Sequence, residues 1–242
     1  MEKGVKKSFG IACVRRRPTG SLELLVIRKK YTYAFTDFVH GRYRSDQDIV
    51  KMLNKMSTDE KYSIMTMNFN EMYHRVMGVA KPTPLEPSGM ETKLATKFML
   101  TFGRAPTGDG GLPAMIRASS QYQAEWEIPK GHRKKTENDI DTAIREFGEE
   151  TGVPRSAYQL VPGFVAHHSF IQNGVKYAYT FYLAIYTTDA KVHLDIGSSQ
   201  GEEVGELQWL DLSTLAIIDK QKWISPIAKK AFAYVKEYAP HL

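Results

Sequence analysis

In the stretch GHRKKTENDIDTAIREFGEETGV, residues 131–153, three glutamates, Glu146, Glu149 and Glu150, stand at spacings of three and four. A helix brings residues at those spacings onto one face. The helix predicted here, near 138–151 and stopped by Gly152, therefore crowds three carboxylates into one patch. Like charges so placed repel. The patch is either a solvated helix face or a place where cations gather, and its surroundings decide between the two.

From Gly131 the order is Gly, five residues, Glu137, seven residues, Arg145, Glu146, an apolar residue, any residue, Glu149, Glu150, any residue, Gly152 and an apolar residue. This pattern resembles the signature of the Nudix hydrolases at nine specified positions over 23 residues,. The chemistry is coherent for cleaving a phosphoanhydride. Negative phosphates repel an attacking water, so divalent cations are needed to neutralise them and acidify the water. Carboxylates, a backbone carbonyl near Gly131 and phosphate oxygens supply the hard oxygen shell that Mg²⁺ or Mn²⁺ prefers. The resemblance implies that Glu146, Glu149 and Glu150 bind metal, with Glu137 near the site and one carboxylate activating water. Arg145 is expected to orient a carboxylate through a bidentate pair, and Gly131 and Gly152 to allow tight turns.

The flanks narrow the group. WEIPKG, residues 126–131, resembles the strand and turn before the box in mRNA-decapping and diphosphoinositol-polyphosphate Nudix enzymes, which implies that Lys130 faces phosphate. Downstream, Glu203 precedes Trp209 in a segment similar to the decapping loop that carries an extra glutamate as metal ligand or general base, with Glu202 a competitor. YTYAFTDFVHGRY, residues 31–43, is similar to the segment after the first hairpin in the Nudix decapping proteins of large DNA viruses, of the poxvirus and African swine fever virus kind. That resemblance implies an α+β Nudix sandwich with a mixed sheet, interrupted by a helical insert. On that resemblance, residues 1–37 and 121–242 are expected to form the Nudix domain and 38–120 the insert.

The wider sequence sets limits. With 242 residues, 42% hydrophobic and 25% charged, the chain reads as a globular protein of one or two domains,. No apolar run reaches the roughly 18 residues of a membrane span, and the first ten residues lack the apolar core of a secretory signal. A cytoplasmic location is expected, the host cytoplasm if the protein is viral. The single cysteine, Cys13, excludes an internal disulfide and a cysteine-built metal site, and its strand-like neighbours predict buried filler,. Residues 1–45 carry 11 Lys or Arg against three acidic residues, a balance of +8, which leaves −2 for the remainder. Such a segment fits a polyanion such as RNA, with Arg28, Lys29 and Lys30 as contacts, or a solubilising basic edge.

Residues 8–16 and 22–30 read as a hairpin turned at Pro18–Gly20, and residues 45–119 carry a helical period. Ser57 with Glu60 and Ser88 with Glu91 match capping boxes, and Gly103 is a helix stop,. Nine of the ten methionines fall in this region, as in an adaptable helical core or partner surface,. Residues 78–89 read as a loop. Strand character returns near 124, Pro154–Ala157 reads as a short helical turn, and strands at 160–172 and 175–187 flank an Asn173–Gly174 turn. A strand at 206–210 and a helix starting near Ser225 close the chain.

If the resemblance holds, the substrate is capped RNA, and hydrolysis releases 7-methyl-GDP and RNA with a 5′-monophosphate. The cap base calls for stacking aromatics, for which Tyr31, Tyr33, Phe35, Tyr158, Phe164 and Tyr177 are candidates beside ordinary core packing. Diphosphoinositol polyphosphates or nucleotides are the alternative substrates, with Lys176, His167 and His168 available to polyanions. A non-catalytic RNA-binding module is a third reading, against which the intact glutamates argue. No membrane partner is expected.

Overall fold

The computed structural model describes residues 4–78, 89–103, 111–122, 125–172, 174–188, 192–194 and 203–238. The chain divides into two compact units, Met1–Arg28 with Glu125–Leu242, and Lys29–Ala124.

The first unit is built on strand β1 (Lys6–Arg16), buried on both faces along its middle. It pairs antiparallel with β2 (Leu22–Lys29) and parallel with β6 (Val175–Tyr186), from Lys6↔Tyr177 to Val14↔Ile185. β6 pairs antiparallel with β5 (Tyr158–Gln172). Short β3 (Trp126–Glu127) joins β2, β4 (Lys130–Gly131) joins β1, and β7 (Val204–Leu210) joins β2 in one mixed sheet. Alternation along β1 sends Ala12 and Val14 to one face and Phe9, Ile11 and Cys13 to the other,. The first face is covered by α8 (Leu212–Ile218) and α9 (Ile224–Tyr238) through Leu215, Ile224, Ile227, Ala231 and Val235. The second is covered by α7 (Asp139–Thr151) through Ala143 and Phe147. This helix, sheet, helix layering is the α+β sandwich expected. Cys13 is fully buried, and burial pushes its thiol up from the ordinary range.

The second unit is helical, with α1 (Tyr33–Val39), α2 (Asp46–Leu53), α3 (Thr58–Thr66), α4 (Phe69–Met77), α5 (Gly89–Phe102) and α6 (Gly111–Ala118). Its core joins Phe35, Phe38, Ile49, Leu53, Met56, Met72, Leu112 and Ile116. Methionines serve both environments, Met56 and Met72 fully buried and Met65, Met90 and Met99 exposed. Ser57 and Glu60 form the capping box at α3, where Glu60 also accepts from Thr32 Oγ1 at 2.8 Å and so ties the start of α1 to that of α3. Lys97 Nζ donates to the carbonyls of Gly41 and Tyr43 at 2.5 and 3.0 Å.

Several expectations on local structure are refined. The strand read near 124 is two two-residue pieces broken at Ile128–Pro129, because proline removes a ladder donor. The helices α1 and α8 stand where none was read. Gly174 adopts φ 72, as a type I′ turn requires,. Its neighbour Asn173, the cap Ser88, Glu202 and the loop at 79–88 lie outside the described residues. Among the described residues, no helix is long and apolar enough to cross a membrane.

Candidate active site

Helix α7 is specified at both ends. Asn138 Oδ1 accepts from the Asp141 N–H at 2.8 Å, and Asp139 and Asp141 place negative charge in the first turn, where the helix dipole favours it,. Gly152 ends the helix at φ 66 and donates its N–H to Gly148 O at 2.9 Å,. Phe147, fully buried against Tyr158 with ring centroids 5.1 Å apart, fixes the rotation of the helix on the sheet. Burial of such a ring contributes about 1.5–3 kcal/mol.

That rotation gives the three glutamates different surroundings. Glu150 is 3% exposed, and its Oε2 accepts the backbone N–H of Lys130 at 2.8 Å. Glu146 is half-buried and lies against Gly131, where a Cβ would run into its carboxylate. Glu149 is exposed, pairs with Arg145 at 2.7 Å and faces Lys134 Nζ at 3.7 Å. The single shared patch expected from spacing is therefore graded from core to solvent. Burial raises the Glu146 pKa from the ordinary carboxylate value, Arg145 opposes the shift, and the negative charges of Glu149 and Glu203 reinforce it. Glu203, exposed just before β7, is thus within electrostatic reach of the box although 57 residues separate it from Glu146 in sequence.

Arg145 organises the cluster. Nε donates to Glu137 Oε1 at 2.5 Å and Nη2 to Glu137 Oε2 at 3.0 Å, a bidentate pair. Nη1 contacts Glu146 at 2.8 Å and Glu149 at 2.7 Å, and Nη2 also donates to His132 O at 3.0 Å. The Arg145 guanidinium holds Glu137 down to about 2, and bonds from Lys134 N and Thr142 Oγ1 act in the same direction.

A hard divalent cation suits this donor set, since Glu146, Glu149 and Glu150 offer oxygen from one helix and Gly131 leaves the space that the Glu146 carboxylate occupies,. Among the described residues, no three acidic, histidine or cysteine groups already stand at metal-ligand spacing. Arg145 holds Glu146 and Glu149, and Lys130 N–H holds Glu150.

The flanking residues are placed as follows. Lys130 is 7% exposed; its Nζ donates to Glu127 Oε2 at 2.5 Å and lies 4.8 Å from the Tyr179 ring centre. Sequence reasoning passed over Glu127 and Tyr179. It also passed over Gly10, opposite Lys130 in the β1–β4 ladder, where any Cβ would strike the Pro129 carbonyl. Its position inside a strand was the available signal. Arg28 pairs with Glu206 and lies 5.3 Å from the Trp126 ring centre. Lys29 is half-buried, and the exposed Lys30 sits over the Tyr31 ring at 5.7 Å. Lys176 is exposed opposite Ile171, and His167 Nδ1 is 3.2 Å from Thr180 Oγ1.

The stacking expectations need correction. Phe35 is fully buried in the helical core and Tyr158 is 3% exposed against Phe147, so neither offers a ring face to a ligand. Phe164 is likewise buried, edge-on to Tyr234. Tyr31 is half-buried and tilted on Phe35 at 5.6 Å, whereas Tyr33 is 65% exposed. Tyr177 is half-buried and stacks on Phe170.

Comparison with known proteins bears on the family and the fold. An African swine fever virus protein (isolate Pig/Kenya/KEN-50/1950), mRNA-decapping protein g5R, is 28% identical over 244 residues, covering 97% of both chains. The Mus musculus asymmetrical bis(5′-nucleosyl)-tetraphosphatase is 36% identical over 59 residues, 24% of this chain and 40% of that protein. In fold, a C. elegans Ap4A hydrolase in a binary complex superposes with a TM-score of 0.51 at 13% identity, covering 96% of this chain and 98% of the other. The NUDIX domain family matches residues 107–233, more than half of the chain, and with its glutamate helix in place the chain belongs to the Nudix hydrolases.

Proposed function

We propose that this Nudix hydrolase removes the 5′ cap of mRNA by cleaving its phosphate bridge, releasing 7-methyl-GDP and RNA with a 5′-monophosphate. The observation that carries the reading is the likeness, over 97% of both chains, to a viral protein named for mRNA decapping. Residues 38–120, which fall within the unit Lys29–Ala124, are then read as a helical insertion in the Nudix domain, and the host cytoplasm as the place of action.

Nudix hydrolases generally use divalent metal ions. Here Glu146, Glu149 and Glu150, with the Gly131 carbonyl and Glu137 close by, would hold Mg²⁺ or Mn²⁺, which when bound neutralises phosphate charge and acidifies water. The chain's own residues do the rest. Arg145 keeps Glu137 ionised and fixes the wall of the site. Lys130 supplies positive charge beside the bridge, with Glu127 holding its ammonium in place. The proton of the attacking water passes to one of the carboxylates Glu146, Glu149 or Glu203. Arg28, Lys29, Lys30 and Lys176 attract the RNA backbone.

The test is incubation of RNA carrying a phosphate-labelled cap with Mg²⁺ or Mn²⁺, with Glu149→Gln alongside. Release of 7-methyl-GDP by the wild type alone supports the reading; no release under either metal removes it. A second reading, hydrolysis of nucleoside polyphosphates, is favoured by the 36% identity to the murine tetraphosphatase within a 59-residue span. Dinucleotide and diphosphoinositol polyphosphates offered as competing substrates separate the two.

A further inference from the structure

On the face of the sheet that packs against Trp223, opposite the one covered by α7, a row of aromatic rings runs outward from Lys130. Its first ring is Tyr179, 4.8 Å from Lys130 Nζ, and the Lys130 backbone N–H is bonded to Glu150. Phe170 meets Tyr179 edge-on at 5.5 Å. Beyond it, Phe170 and Tyr177 face each other across the β5–β6 ladder, with centroids at 5.1 Å and ring planes only 8° apart. Both rings are half-buried and so retain accessible surface. Lys6, exposed and paired with Tyr177 in the β1–β6 ladder, places Nζ 5.6 Å from the Tyr177 ring centre.

A cross-strand aromatic pair stabilises a sheet by about 0.2–1 kcal/mol whatever its function. Three features set this one apart: the row begins at Lys130, the residue before the first glycine of the Nudix box, its outer pair is incompletely covered, and an exposed cation borders it. Aromatic faces beside positive charge are how proteins hold unpaired nucleotides, with the ring stacking on the base and the cation meeting the phosphate. The charge also selects which base. A 7-methylated guanine is cationic and would be repelled beside Lys6, whereas a neutral base on a phosphodiester is attracted,.

We propose that Phe170 and Tyr177 form a stacking platform for a neutral base of the RNA chain that follows the cleaved bridge, with Lys6 meeting its phosphate. The proposal rests on the capped-RNA reading above and adds where the RNA body leaves the site. It moves the first RNA contact from the Arg28–Lys30 segment to the end of the β5–β6 hairpin.

The test is fluorescence anisotropy with three probes: a short single-stranded RNA with a 5′-monophosphate, the same RNA made abasic at its first nucleotides, and 7-methyl-GDP. Tyr177→Leu and the double variant Phe170→Leu/Tyr177→Leu keep apolar volume on the sheet but lose the rings. The expected result is RNA affinity weakened about tenfold, toward that of the abasic RNA, with 7-methyl-GDP binding unchanged and Tyr177→Phe close to wild type. Unchanged RNA affinity in Tyr177→Leu and in the double variant, with thermal midpoints near wild type, would overturn the proposal. A loss confined to 7-methyl-GDP would also overturn it by assigning the rings to the cap base. Because binding is read without turnover, absent cap hydrolysis with ring-dependent RNA binding refutes only the decapping reading. Cap release with ring-independent RNA binding refutes only the platform.

Discussion

The backbone N–H of Lys130 donates to Glu150 Oε2 at 2.8 Å, tying strand β4 to the buried glutamate of α7. A carboxylate this deep is costly unless it is hydrogen-bonded, and the bond from a backbone donor offsets part of that cost. The bond also fixes the start of the box against the helix that carries its glutamates. Glu150 is thus part of the fold as well as of the candidate metal site, whereas Glu149, exposed one residue earlier, is free of that structural duty.

Glu149→Gln and Glu150→Gln are expected to lower turnover at least about 100-fold, since each removes a charged oxygen from the cluster. Loss of the side-chain acceptor at 150 should also separate the two positions in stability. Glu149→Gln, a surface change, should stay within about 0.5 kcal/mol of wild type, and Glu150→Ala, which leaves the Lys130 N–H without this acceptor, should cost about 1–3 kcal/mol. Denaturant unfolding beside steady-state kinetics checks both. Normal turnover in the two glutamine variants would rule out the glutamates as metal ligands.

Arg145 and Glu137 give a prediction on acid stability. Glu137 titrates near 2 in the folded protein against an ordinary 4.5, chiefly through the bond from Arg145. A depressed carboxylate pKa contributes stability that is present above 4.5 and is lost as pH falls from there through about 2. In Arg145→Leu that contribution should be largely absent, so the gap in thermal midpoint between wild type and variant should narrow as pH drops across this window. The measurement belongs in chelator, so that metal binding does not enter. Parallel curves over the whole range would show that the pair does not couple to folding.

The glutamate helix was legible because its information is local: a capped start, spacings of three and four, and a glycine stop all lie within 23 residues. The strand β1 and the helical period of α2 and α4 were legible for the same reason, whereas in α3 the periodic Tyr62 and Met65 are exposed. What was hidden depends on contacts between distant segments. Glu127 and Tyr179 matter through Lys130, and nothing in the sequence near 127 announces a ring supplied from 179. Phe35 and Tyr158 sat in plausible motifs, yet their rings complete cores built by other elements. The missed helices α1 and α8 span seven residues each, too short to show a period. Their caps were the usable signal, with Thr32 accepting from Phe35 N–H and Asp211 from Thr214 N–H,.

Two glycines should respond in opposite ways to alanine. At Gly131 the new methyl group meets the end of the Glu146 side chain, which can swing aside. Gly131→Ala should therefore remain folded while losing at least about tenfold in turnover as Glu146 is displaced. At Gly10 the methyl group meets the Pro129 carbonyl, which is backbone and cannot move without separating β4 from β1. Gly10→Ala should cost more than about 2 kcal/mol and take activity with it. Unfolding curves and turnover measured together separate these outcomes, and equal stability of the two variants would contradict the argument.

The basic segment supplies the last prediction, because its three charges are not equivalent. Arg28 is paired with Glu206 and packed over Trp126, so its charge is already partly countered by the protein. Lys30 is exposed, with its ammonium over the Tyr31 ring. A cation that meets phosphate releases condensed counterions, and its removal lowers the salt dependence of binding by about one unit of slope. Lys30→Ala should accordingly flatten the plot of log affinity against log salt for long RNA and leave a free dinucleotide substrate unaffected. Arg28→Ala should lower stability by at most about 1 kcal/mol and leave the slope near wild type. If instead Arg28→Ala flattens the slope, the pair with Glu206 opens to admit RNA; if neither variant changes it, the basic segment is a solubilising edge and the RNA follows another path.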